Sequence, residues 1–236
     1  MNKKKIAALA IAGVLTVGIV GVTFAWFTSK DSVTNKFSTG TATDPETPGN
    51  PDAGIEIEEK FPGDTNGDGK YDNPVLPGTK MTKEVKVAST ANYAQYLRAK
   101  VTKIWYDKEN NVITHYKVTT VEGKEKVEYG APVNTEGWKE LDSSLIVLEF
   151  ATPGTPVGDT WASLAQDGFY YYNQLLGPKP AITSELLKAV TLDSKADNYY
   201  KNLTFDVKID AEAVQATKAA VDGWANIPTA VKALGN

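Results

Sequence analysis

Apolar and polar residues alternate along most of this chain with the period of two that marks half-buried strands. Ile55, Ile57 and Phe61 recur at even spacing, with glutamates between the first members. Met81, Val85 and Val87 alternate with Lys80, Thr82, Glu84 and Lys86, and Pro77-Gly78 predicts the turn before them. Residues 93–106 predict the strongest strand: Leu97, Ala99, Val101 and Trp105 on one face, Arg98, Lys100 and Thr102 on the other. Asn110-Asn111 turns the chain into a strand over 112–121, and Glu122-Gly123-Lys124 makes a hairpin into 125–129. Trp138 and Leu141 lead to residues 144–150, an almost continuously apolar run that predicts a strand buried on both faces. Phe169, Tyr170, Tyr171 and Tyr172 favour a strand, with every second ring in the core and the others on the sheet surface. Ile182-Thr183 precede a predicted short helix over 184–190, capped by Ser184. Leu203, Phe205, Val207, Ile209 and Ala211 alternate in the last long strand, prolonged over 213–216, and residues 218–234 predict short helices anchored by Trp224. Many short strands joined by turn residues indicate an all-β fold, a β-sandwich with a few short helices.

The N-terminal stretch breaks this pattern. Lys3, Lys4 and Lys5 precede an uncharged apolar run over residues 6–24, which ends at Thr23-Phe24-Ala25. This is the build of a secretory signal peptide over residues 1–25, with cleavage expected between Ala25 and Trp26. The run is long enough to span a bilayer, so the alternative is an uncleaved anchor, the one membrane contact the sequence offers. Trp26 and Phe27 follow the cut at once, then Val33 and Phe37, all of which a soluble chain must bury. Residues 26–41 therefore read as an N-terminal strand segment. Residues 42–54 carry Pro45, Pro48, Gly49 and Pro51 and read as a linker, and residues 55–236 as the sandwich domain. The linker leaves the 26–41 segment free to pair outside its own chain.

Composition sharpens the picture. The chain is 42% hydrophobic and 23% charged, ordinary values for a packed domain. Its side chains beyond residue 25 sum to −7, and Arg98 is the single arginine. Nucleic-acid binding, which needs clustered basic residues, is excluded. There is no cysteine, so disulfides, thiol catalysis and Cys-ligated zinc are excluded as well.

Several motifs resemble one known family. Phe24-Ala25-Trp26-Phe27-Thr28-Ser29 followed by Phe37-Ser38-Thr39-Gly40-Thr41 resembles the export junction of the TasA/camelysin family. Asp167-Gly168-Phe169-Tyr170-Tyr171-Tyr172, then Leu176, Thr183 and Leu186-Leu187, resembles a block of its BsaA-type clostridial branch. Ala211-Glu212-Ala213-Val214-Gln215-Ala216 followed by Trp224 resembles the closing motif, and Tyr96-Leu97-Arg98-Ala99-Lys100-Val101 also matches. Pro178 departs from the Pro-Gly that the branch carries after its leucine. The resemblance implies a SipW-dependent, pilin-like biofilm matrix protein of Gram-positive bacteria. It implies a jelly-roll sandwich, cleavage by a signal peptidase of the SipW type, and polymerisation with copies of itself. Related fibres use N-terminal strand donation, which here assigns Trp26, Phe27, Val33 and Phe37 to assembly.

One loop carries metal chemistry. Asp64, Asn66, Asp68 and Asp72 stand at the first, third, fifth and ninth places of an EF-hand-like spacing. Gly69 is at the sixth, and Lys70 at the seventh would offer its carbonyl. The twelfth place is Val75, where a bidentate acid should sit, so Ca2+ binding would be weak; a plain Gly/Asn/Asp turn loop is the alternative. His115, the lone histidine, has no His-Glu-x-x-His motif, and nothing like Gly-x-Ser-x-Gly surrounds any serine. Glu58, Glu59 and Asp142 read as solvated acids. Leu76-Pro77-Gly78-Thr79-Lys80 lacks the glycine and apolar tail of a sortase signal. The sequence thus predicts no enzyme and no required cofactor. It predicts a secreted structural subunit that polymerises into extracellular matrix fibres. The alternative is a monomeric surface module that binds polysaccharide or host matrix through exposed aromatics.

Overall fold

In the computed structural model, residues 28–37, 54–65, 71, 75–151, 159–162, 165–224 and 227–235 are described, the first of these segments by its backbone path and pairing. The strands in chain order are β1 (Thr28–Phe37), β2 (Ile55–Lys60), β3 (Lys80–Ser89), β4 (Gln95–Tyr106), β5 (Val112–Ile113) and β6 (His115–Val121). They continue as β7 (Lys124–Gly130), β8 (Lys139–Glu140), β9 (Ile146–Phe150), β10 (Tyr170–Tyr171), β11 (Leu187–Leu192) and β12 (Thr204–Gln215). Two short helices, α1 (Lys218–Val221) and α2 (Thr229–Lys232), follow.

One sheet has the order β1-β12-β4-β10, with β5 on β4; a second runs β2-β3-β11-β9; a third is β7-β6-β8. Every pairing among the described strands is antiparallel. The alternation read from the sequence dictates the core. Leu97, Ala99 and Trp105 of β4 and Phe205, Val207, Ile209, Ala211 and Ala213 of β12 are buried against Ile55, Ile57, Met81, Val85, Val87 and Leu187 of the second sheet. The fold is therefore an all-β sandwich. Each fully buried aliphatic side chain contributes about 1.5–3 kcal/mol.

The turns form where glycine and asparagine accept positive φ. Gly78 has φ +86°, and the Thr79 N–H donates to the Leu76 carbonyl at 2.9 Å, so Pro77-Gly78 launches β3 as expected. Glu122 and Gly123, at φ +50° and +75°, close the β6–β7 hairpin. Val121 is exposed at this tip, as is the start of β7.

Three expectations are corrected. Residues 184–190 do not form a helix. Leu187–Leu192 is a strand inserted between β3 and β9, with a register irregularity between Leu187 and Ala189. That irregularity buries Ala189 and Val190 in succession and hides the period of two. The run 144–150 is not buried on both faces. It opens as a 3-10 turn over Ser143–Leu145, capped by the Asp142 side chain, and continues as the edge strand β9, where Val147 is 41% exposed. Finally, Tyr171 and Tyr172 are both buried. They do point to opposite faces, but both faces are covered: Tyr172 packs in the inter-sheet core and Tyr171 under Trp224. The C-terminal helices behave as predicted, with Trp224 only 8% exposed over a second small core of Tyr96, Tyr171, Val214, Val221 and Val231. Thr217 caps α1 through its hydroxyl.

Candidate assembly site

β12 lies between two neighbours. On one side its twelve residues pair with β4, from Thr204 opposite Tyr106 to Gln215 opposite Gln95. On the other side ten residues pair with β1, from Phe37 opposite Phe205 to Thr28 opposite Val214. β1 is the edge of its sheet and also borders β2, the edge of the second sheet. It thus closes one flank of the sandwich, and without it β12 would present an unpaired edge.

The register of β1 follows the core alternation of β12. Ser29, Asp31, Val33, Asn35 and Phe37 stand opposite Ala213, Ala211, Ile209, Val207 and Phe205, which are at most 1% exposed. Val33 and Phe37 therefore occupy core-face register positions. The alternate positions from Lys30 to Lys36 oppose polar residues, with Lys30 opposite Glu212 and Lys36 opposite Asp206. Opposite charges on directly facing positions favour this register. Trp26 and Phe27, and with them Ala25 at the expected cleavage site, lie outside the described residues.

A cluster around Arg98 braces the same strand from its outer face. Arg98 of β4 pairs in register with Glu212 of β12, and its Nη2 and Nε donate to Glu212 Oε2 at 2.7 and 3.0 Å. Asp167 lies 3.9 Å from the guanidinium, and the Tyr171 hydroxyl donates to Asp167 at 2.6 Å. The guanidinium carbon sits 4.0 Å from the Phe169 ring centre and 4.4 Å from that of Trp224. Burial, reinforced by the bond to Asp167, pushes the Tyr171 hydroxyl up to about 12, so it remains a donor. The sequence pattern puts Arg98 with Lys100 and Thr102 on the polar face of β4, without showing what covers it. The Asp-Gly-aromatic block and the Trp224 tail were the signals that this face is covered.

The candidate calcium loop is only partly described. The Asp64 N–H donates to the Phe61 carbonyl at 3.0 Å, starting a turn. Asn66, Asp68, Lys70 and Asp72 lie outside the described residues. Val75, at the place of the missing acid, is buried in the core at 4% exposure. Among the described residues no three His, Cys, Asp or Glu side chains form a group that could hold a metal. His115 lies on β6, its Nδ1 at 2.8 Å from the Thr114 hydroxyl. Among the described residues no helix is long and apolar enough to cross a membrane.

Sequence reading also missed the partnership of Lys83 and Glu59, which form an ion pair at core-facing positions. The even spacing from Ile55 and Ile57 to Glu59, and from Met81 to Lys83, was the available signal.

A family model described as camelysin metallo-endopeptidase matches residues 1–136. No curated protein matches the chain. No solved structure matches it either.

Proposed function

The chain belongs to the camelysin metallo-endopeptidase family, and from that premise we propose that it is an exported structural subunit. In this reading it polymerises into extracellular matrix fibres by donating residues 26–41 to the β12 edge of a neighbouring copy. The family description carries a peptidase activity, but this chain's donors do not fit a catalytic zinc. It has one histidine and no cysteine, and the described acids form no metal-holding group with His115.

The observation that supports assembly is the ten-residue pairing of β1 with β12. The seventeen residues between β1 and β2 could span roughly 55 Å when extended. The same register is therefore open to a strand from another copy. Pairing within one chain is favoured in a dilute monomer, because the tether keeps the local concentration high. Donation to the next copy buries the same positions, and being head to tail it repeats without closing. Extracellular location follows from the signal-like N-terminus and accords with the family.

The test is deletion of residues 26–41. The variant is expected to keep its near-ultraviolet circular dichroism, to form no fibres by electron microscopy, and to bind a synthetic peptide of residues 26–41. Fibres from the deletion variant would show that another interface builds the polymer. A folded wild-type chain that stays monomeric at high concentration would favour the surface-binding module instead.

Calcium at residues 64–72 is an accessory part of this proposal. Millimolar Ca2+ is expected to raise the melting temperature by linkage, and Asp64→Ala with Asp68→Ala is expected to abolish the rise. An equal rise in that variant would leave the loop as a turn alone.

A further inference from the structure

Two charged side chains occupy inward positions where the alternation of β2 and β3 calls for apolar ones. β3 turns Met81, Lys83, Val85 and Val87 inward, and Glu59 follows Ile55 and Ile57 on β2. The register sets Glu59 opposite Val85 and Lys60 opposite Glu84, which makes Glu59 and Lys83 diagonal neighbours on one face. The Lys83 Nζ is in direct contact with Glu59 Oε1. The Lys83 side chain is 0% exposed and that of Glu59 13%. The Phe61 ring centre lies 5.4 Å from Nζ. Asp206 is also 0% exposed; its charge acts on Lys83, and the Tyr106 hydroxyl bonds to it.

A charge pair is expensive in such a place, because water is lost from both ions. Burial lowers the Lys83 pKa, against the opposing pull of Glu59. A buried amine that sheds its proton readily is a nucleophile held against an acyl carbon. Joining the two groups would abolish both charges at once and expel a water from an apolar site.

We infer that Lys83 and Glu59 become linked by a side-chain amide. A proton first passes from the Lys83 ammonium to the Glu59 carboxylate, giving a neutral amine and a carboxylic acid. Nζ then attacks Glu59 Cδ, the N–C bond forms, the C–OH bond breaks, and one water leaves. The proton that Nζ gives up passes to the departing hydroxyl, which leaves as that water. No oxidant or further reactant is needed. The product ties β2 covalently to β3 and closes the segment between residues 59 and 83, which restrains the unfolded chain. This inference is independent of how the subunits assemble.

The decisive experiment is mass spectrometry of the purified full chain and of its tryptic peptides. The intact mass is expected to fall one water, about 18 Da, below the sequence value for the observed N-terminus. Trypsin should release residues 37–60 joined to residues 81–86, with Lys83 uncleaved and fragment ions placing the branch on Glu59. Lys83→Arg should restore the unmodified mass and yield no branched peptide. A wild-type chain at its full sequence mass, with complete cleavage after Lys83, would overturn the inference and leave a buried ion pair. That reading comes from the wild-type protein, so it stands even if the variant fails to fold.

Discussion

β12 is flanked by two strands of very different character, although both pair with it over nearly its whole length. The β4 flank places Leu97, Ala99, Val101 and Trp105 opposite the inward residues of β12, and Trp105 packs edge-on against Phe205 at 5.5 Å. On its outer face the Arg98–Glu212 pair adds a clasp in which two guanidinium N–H groups share one carboxylate oxygen and the guanidinium stacks on Phe169. The β1 flank offers two large apolar residues, Val33 and Phe37, at the matching positions, with Ser29, Asp31 and Asn35 at the others. One flank is built as core. The other shares the register but has few apolar positions to anchor it, which is what the proposed exchange of partners would require. Backbone pairing alone therefore does not distinguish a permanent neighbour from an exchangeable one; the side chains on the paired positions do.

The largest effect is expected on the permanent flank. Arg98→Ala leaves Glu212 and Asp167 partly buried without their cation and removes the guanidinium stacked on Phe169 and Trp224, and should cost about 3 kcal/mol. Arg98→Lys keeps the charge but loses the double N–H contact to Glu212 Oε2 and the stacking, and should recover about half of that loss. Urea unfolding midpoints check both, and a Lys variant as stable as wild type would reduce the clasp to simple charge. A smaller, paired comparison uses the two valines that flank Ile209. Val101→Ala should destabilise the monomer by about 1.5 kcal/mol, and Val33→Ala by less than about 1 kcal/mol. Only Val33→Ala should also slow fibre growth measured by light scattering. Equal destabilisation by the two, with fibre growth unchanged, would make β1 an ordinary core strand.

Where one period ran unbroken, the sequence was enough to place the strand. β4 and β12 were legible from their alternation, and the hairpin at Glu122-Gly123 from its turn residues. β11 was not, because Leu186, Leu187 and Ala189 are good helix formers and, with Val190, are spaced as a helix would space them. Pairing on both sides, with β3 and β9, overrides that local preference. β9 misled for the opposite reason: an apolar run usually means two covered faces, yet here it forms an edge. The covered outer face around Tyr171 could not be read from strand periodicity, since it depends on a tail more than forty residues downstream. At the candidate site, Val33 and Phe37 stand in register with Ile209 and Phe205. The Lys83–Glu59 pair was hidden because charged residues are assigned to water by default.

The exposed hairpin between β6 and β7 has a consequence for the molecule's history. Its tip at Glu122-Gly123 is held by backbone geometry, and Val121 and the first residues of β7 bear almost none of the packing. Substitutions there change stability little, and added residues are accommodated at such a tip. The tip belongs to neither the β1 nor the β4 flank of β12. Among the described residues it is a stretch free to drift between generations, and a natural place to graft a fluorescent or antibody tag without disturbing the architecture beneath.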